Sequence, residues 1–78
     1  MKIDETRQQD LGKLLGLVAE LNRDEVTVYM CYQGGTGCLL VTVYEGETIA
    51  YSVKRFLKED TDVSDVIEDM EKMLEAVR

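Results

Sequence analysis

The hydrophobic period changes twice along this chain, and these changes constrain its fold more than any other feature. Apolar residues recur at helical spacing up to residue 21, three runs rich in β-branched and aromatic residues follow, and helical spacing returns after residue 62. Glycine-containing turns separate the three runs. The sequence therefore predicts an α+β fold in the order α-β-β-β-α, with a three-stranded antiparallel meander.

The first segment predicts a helix over Asp4–Asn22. Its apolar side consists of Leu11, Leu14, Leu15, Val18 and Leu21. A capping box at Thr6 would begin the helix, and Asp4 is the alternative start. Gly12 and Gly16 lie beside the apolar side, so we expect a close approach there, either by the chain's own sheet or by a second chain.

Three strands and a second helix complete one small domain over residues 1–78. The β-rich runs predict strands at Val26–Tyr32, Cys38–Tyr44 and Thr48–Phe56. The second helix has its apolar side at Val63, Val66, Ile67, Met70, Met73, Leu74 and Val77. Thr61 or Asp62 would cap its beginning.

Turn lengths predict how the strands pair. A two-residue turn at residues 34–35, with positive φ values at its glycines, would place Met30 opposite Leu39. A three-residue loop at residues 45–47 would bring Ile49 onto the same face of the sheet. Both helices are expected to cover that face, with Leu11, Leu14, Val18, Ile67, Met70 and Leu74 buried against it.

The opposite face of the predicted sheet is unusually apolar for a surface in contact with water. Its candidate binding residues are Tyr29, Cys31, Cys38, Leu40 and Tyr44. Tyrosines beside an aliphatic side chain are typical of protein interfaces. We expect a second copy or a different protein to dock there, unless one helix crosses to cover the face or the face simply stays wet.

The sequence disfavours catalysis and cofactor binding. It contains no histidine, the usual base for a nucleophilic serine or cysteine, and only two cysteines, too few for a zinc site. The predicted register places Cys31 directly opposite Cys38 in a hydrogen-bonded pair, which suits a disulfide poorly, so both should remain thiols. We therefore expect no enzyme activity, no metal and no cofactor.

Negative charge is concentrated at the end of the sequence. Residues 59–78 hold eight acidic residues against Lys72 and Arg78, and so carry six of the seven excess negative charges. The acids expected to bind a partner on the second helix are Asp62, Asp65, Glu68, Asp69, Glu71 and Glu75. They would attract a basic protein, although a charged helix that only keeps a small domain in solution is the alternative.

The predicted element order resembles that of the double-stranded-RNA-binding domain. The lysines that begin the second helix in that family are replaced here by the acidic stretch 59–65, so we expect no direct nucleic-acid binding and no membrane binding. In size, charge and element order the chain is similar to small acidic inhibitors of phage or plasmid origin, including some anti-CRISPR proteins. We expect a cytoplasmic inhibitor or regulator of a nucleic-acid-binding protein, or alternatively a scaffold homodimer joined through the open sheet face.

Overall fold

Two helices lie on one face of a three-stranded antiparallel sheet. The computed structural model describes residues 5–23, 25–57 and 62–77. Helix α1 spans Glu5–Leu21, strands β1, β2 and β3 span Val26–Gln33, Cys38–Glu45 and Thr48–Phe56, and helix α2 spans Ser64–Val77. The strands follow one another in the order β1-β2-β3. The predicted fold class is confirmed.

The core lies between the helices and the sheet face that carries Val28, Val41 and Val43, which we call the core face. The fully or nearly fully buried apolar side chains are Leu14, Leu17, Val18, Leu21, Val28, Leu39, Val41, Val43, Leu57, Val63, Val66, Ile67, Met70 and Leu74. Leu11 is only partly buried against this cluster. Among the described residues, neither helix has the length and apolar character needed to cross a membrane.

Helix α1 buries Leu14, Val18 and Leu21 as predicted, but it is rotated relative to the predicted orientation. Leu17 is buried, whereas Leu15 is 61% exposed. The prediction that Gly12 and Gly16 admit the chain's own sheet is wrong, because a Cβ built on either glycine meets nothing within 4 Å. Thr6 lies inside the helix rather than at its cap, and the alternative cap at residue 4 is outside the described residues.

Both hairpins differ from prediction in register. The first loop has four residues, because Gln33 pairs with Cys38 and the Gly37 N–H donates to the Gln33 carbonyl at 2.8 Å. The positive φ falls on Gly37, at 72°, and not on residues 34–35. Met30 therefore lies opposite Val41 rather than Leu39. A loop of four residues is also even, so the predicted faces of β1 and β2 survive the shift.

The second hairpin moves Ile49 to the other face. Glu45 pairs with Thr48 around a two-residue turn in which Gly46 has φ 61°. A β-bulge follows, with Val43 opposite Tyr51 but Tyr44 opposite Ile49. The extra residue reverses the alternation of β3 between these pairs. Ile49 is consequently 58% exposed beside Tyr44 instead of buried in the core.

Two neighbouring side chains after α1 tie its end to the rest of the fold. The Asn22 amide donates to the Val18 carbonyl at 2.8 Å and accepts from the Val28 N–H at 3.0 Å. The Arg23 guanidinium donates to the carbonyl of Val77 at 3.1 Å, at the carboxyl end of α2. At the other end of α2, Asp62 accepts from the Ser64 N–H at 2.8 Å, as predicted for a cap; the alternative at residue 61 lies outside the described residues.

Candidate functional site

The sheet face away from the helices, which we call the open face, holds most of the large hydrophobic side chains that are exposed in the described part of the chain. Strand pairing places all five predicted residues of this face, Tyr29, Cys31, Cys38, Leu40 and Tyr44, on it. Of the five large exposed hydrophobic residues within the described ranges, four lie here: Tyr29 at 67%, Leu40 at 39%, Ile49 at 58% and Phe56 at 51%. Neither helix crosses to cover the face.

Ile49 and Phe56 belong to the open face although the sequence did not assign them to it. The bulge explains Ile49, since an inserted residue cannot be read from alternation alone. Phe56 lies opposite Cys38 and continues the alternation of Ser52 and Lys54. Following that alternation to the end of β3 would have found it.

The open face differs in charge from the rest of the protein. Cross-strand pairing assigns it these residues: Thr27, Tyr29, Cys31, Gln33, Cys38, Leu40, Thr42, Tyr44, Ile49, Ser52, Lys54 and Phe56. This set contains no carboxylate, in a chain with sixteen. Its one charged side chain, Lys54, has its Nζ 5.4 Å from the centre of the Phe56 ring. Depletion of charge together with exposed aromatic residues is characteristic of interface centres.

The two cysteines are not the directly opposed pair that the sequence predicted. Cys31 lies opposite Leu40, and Cys38 lies opposite Gln33. Both are free thiols, with Cys31 exposed and Cys38 buried. The four-residue loop moves the register by two residues and leaves the thiols diagonal to each other on the open face. With Gln33, Leu40 and Lys54 they line a pocket in it.

Three of the six predicted acids stabilise the fold itself. Asp65 accepts from the Arg55 guanidinium at 2.7 Å, and this hydrogen bond lowers the pKa of Asp65. The hydroxyl and N–H of Ser64 both donate to Asp62 and lower its pKa. Asp69 accepts from the Tyr51 hydroxyl at 3.1 Å. These carboxylates are already engaged within the protein.

Burial and the hydrogen bond to Asp69 act together on Tyr51. They raise its pKa from 10.0 to about 12, with burial the larger cause. Tyr51 and Arg55 both project from β3 towards α2, so each contact joins the sheet to the acidic helix.

The other three acids, Glu68, Glu71 and Glu75, lie exposed on α2. Glu68 pairs with Lys72 at 3.2 Å and Glu71 reaches Lys13 of α1 at 3.9 Å. Glu20 of α1, which the sequence did not suggest, lines a groove between the helices together with Leu17, Glu71, Leu74 and Glu75. We call this the acidic groove. Only the folded helix pair brings Glu20 to it.

The described residues contain no cluster of three or more cysteine, aspartate or glutamate side chains placed to hold a metal ion. The candidate site thus consists of two surfaces, the open face and the acidic groove.

Comparison of the chain with protein-family models, with curated protein sequences and with solved structures gave no match.

Proposed function

We propose that this protein is a non-enzymatic protein-interaction domain, acting as an inhibitor or regulator, whose main binding surface is the open face. The observation that carries the proposal is the concentration of Tyr29, Leu40, Ile49 and Phe56, all exposed, on one carboxylate-free face. Removal of apolar area from water is the dominant favourable contribution to most protein association. Tyrosine and phenylalanine supply large areas at small entropic cost.

The rigidity of the sheet adds to this argument. Cross-strand pairing fixes the backbone under every residue of the open face, so a partner would order side chains and not backbone. Asp62, Asp65 and Asp69 already accept hydrogen bonds within the fold, so fewer of the predicted acids are left to bind a partner. We therefore assign the main binding surface to the open face. We place the protein in the cytoplasm, where two thiols remain reduced.

The test is a pull-down from the native host with tagged wild-type protein and the variant Ile49→Glu. The Ile49 side chain is exposed, so the substitution should leave the fold intact while placing a carboxylate beside Tyr44 on the apolar surface. We expect at least a tenfold loss of the captured partner. Gln9→Glu adds the same charge to the exposed surface of α1 and should change nothing. Equal capture by all three proteins would refute binding through the open face.

The acidic groove favours a second candidate function, that of a nucleic-acid mimic. Glu20, Glu71 and Glu75 converge from two helices on one groove, which would suit the basic, nucleic-acid-binding cleft of another protein. A phage- or plasmid-encoded inhibitor of the anti-CRISPR type would work in this way.

Charge reversal separates the two candidates. Glu71→Lys with Glu75→Lys should abolish capture of a basic partner and remove the salt dependence of its binding. The same double variant should bind normally if the open face is the binding surface. Capture that survives high salt and is lost in Ile49→Glu would exclude the mimic.

A further inference from the structure

Strand β1 forms one edge of the sheet, and the described residues cover only the first half of that edge. The N–H and carbonyl of Val26 bond to the backbone of Arg23 at 3.1 and 2.9 Å. The N–H of Val28 bonds to the Asn22 side chain at 3.0 Å. These groups therefore point away from β2.

The alternation of an antiparallel ladder extends this pattern along β1. Every second residue directs its backbone groups to the same side, so Met30 and Tyr32 point outward as Val26 and Val28 do. Their N–H and carbonyl groups have no backbone partner within the described part of the chain. A short segment of free edge is left.

The free edge adjoins an uncharged side of α1. At 100° per residue, that side carries Gln8, Leu11, Gly12, Leu15 and Ala19. An apolar groove between helix and strand is lined by Leu11, Gly12, Leu15, Met30 and Tyr32. Leu15 is 61% exposed at its rim. We call the free edge of β1 and this side of α1 the edge strip.

The opposite edge of the sheet is protected in a way that β1 is not. Strand β3 carries a bulge, which disrupts regular pairing, and two cations, Lys54 and Arg55. Both devices discourage edge-to-edge association. Strand β1, VTVYMCYQ, has no charge, proline or bulge. The free edge is thus suited to pairing with another strand.

We propose that the edge strip binds a second copy of this chain, with the two β1 strands antiparallel. Met30 of each copy would pair with Tyr32 of the other, which satisfies the free N–H and carbonyl groups of both residues in both copies. A shift by two residues would bring Met30 opposite itself and Tyr32 opposite Val28, whose N–H is already taken by Asn22. The opposite shift would bring Met30 opposite Gly34, beyond the end of β1. The free groups therefore select one register, with the two-fold axis at Cys31.

The same axis brings the two α1 helices side by side. Nothing lies within 4 Å of a Cβ built on Gly12 or Gly16, so the helices have room to approach closely. Lys13 and Glu20 lie on the opposite side of α1, towards α2. Both α1 helices would then lie between the two acidic α2 helices. Three successive helix-to-helix spacings of about 9 Å would place the α2 axes about 27 Å apart. That distance exceeds the screening length of about 8 Å at physiological salt.

The size of the edge strip predicts a weak dimer. It is about 18 Å long along α1, at about 1.5 Å per residue. It is two layers deep, the helix and the sheet, at about 10 Å per layer. The area that the dimer would bury on each copy is therefore roughly 400 Å². Stable complexes bury about 800 Å² per partner. We therefore expect association only at high protein concentration. The dimer would join both open faces into one six-stranded surface, independently of whether that surface binds the proposed partner.

Sedimentation equilibrium of the full chain, at concentrations up to about 1 mM, tests the proposal. The mass should approach twice the 8.9 kDa of one chain. Leu15→Glu puts a charge on the two-fold interface and should weaken association at least tenfold. Ile49→Glu, on β3 and the open face, should leave association unchanged. A chain that stays monomeric throughout, or an association lost in Ile49→Glu and kept in Leu15→Glu, would overturn the proposal, the latter in favour of a dimer through the open face.

Cysteine crosslinking tests the register. At a non-hydrogen-bonded antiparallel pair the two Cys31 Cα atoms would be about 4.5 Å apart, within the range a disulfide spans. Treatment with copper-phenanthroline in air should give a crosslinked dimer with Cys38→Ser but none with Cys31→Ser. Leu15→Glu should suppress the crosslink. A dimer in sedimentation that crosslinks through Cys38 alone would refute the Cys31-centred pairing.

Discussion

At the scale of single residues, a few residues at the ends of helices and strands decide where the chain turns. Gly37 and Gly46 are the glycines with positive φ among the described residues, whereas Gly35 has an ordinary φ. Asn22 bonds both the last turn of α1 and the beginning of β1. The sequence marks all of these residues as turn formers but does not say which one adopts the left-handed conformation, because glycine is also at ease with negative φ.

Gly46→Ala should lower the free energy of unfolding by about 1 kcal/mol, because a left-handed conformation brings Cβ too close to the following carbonyl oxygen. Steric contact with the rest of the chain does not contribute, since nothing lies within 4 Å of the added Cβ. Urea denaturation measures the change. Gly35→Ala is the matched control and should be close to neutral. Equal effects at both positions would mean that φ at residue 46 is not the cause.

At the scale of elements, polar contacts attach α2 to β3. Tyr51 donates to Asp69, and Arg55 donates to Asp65. The amphipathic pattern of α2 predicted that it would lie on the sheet. Which of its acids would contact β3 depends on the rotation and position of the helix, and those follow from packing of Val66, Ile67, Met70 and Leu74 in the core.

The raised pKa of Tyr51 predicts a loss of stability at alkaline pH. Because its folded pKa, about 12, exceeds the ordinary 10.0, the contribution of Tyr51 is complete below pH 10 and is lost as pH rises towards 12. Absorbance of tyrosinate should show one group titrating near 12. Tyr51→Phe should remove that step. Asp69→Asn should lower the pKa of Tyr51, because it removes the negative charge beside the hydroxyl. A titration unchanged in Tyr51→Phe would contradict the assignment.

At the scale of the whole molecule, charge and apolar surface are segregated. The sheet side presents an open face without carboxylates, and the helix side presents the acidic groove. This separation allows one small domain to offer two chemically different surfaces. It also concentrates like charges, and like-charge repulsion opposes the compact state.

Relief of that repulsion should stabilise the fold. Glu75→Lys should raise the free energy of unfolding by about 0.5 kcal/mol at low salt, because Glu71 four residues earlier would gain an opposite charge in place of a like one. Glu75→Gln, which only removes the charge, should give a smaller gain. Added sodium chloride should stabilise the wild-type protein and reduce both gains. A wild-type protein destabilised by salt would mean that its ion pairs outweigh the repulsion.

The sequence by itself determined the element order and the face of β1 and β2 on which each side chain lies. The element order and the strand faces depend on local periodicity. A loop of two residues and a loop of four residues keep the same side chains of β1 and β2 on one face of the sheet. Only the tertiary structure decided the register, the bulge that exposes Ile49, the burial of Leu17 instead of Leu15, and the contacts of Asp65 and Asp69 with β3. It also decided that Asn22 and Arg23 cover half of the β1 edge and that, among the described residues, nothing bonds the outward backbone groups of Met30 and Tyr32. These features depend on contacts between distant segments, whose geometry is set by packing and not by local spacing.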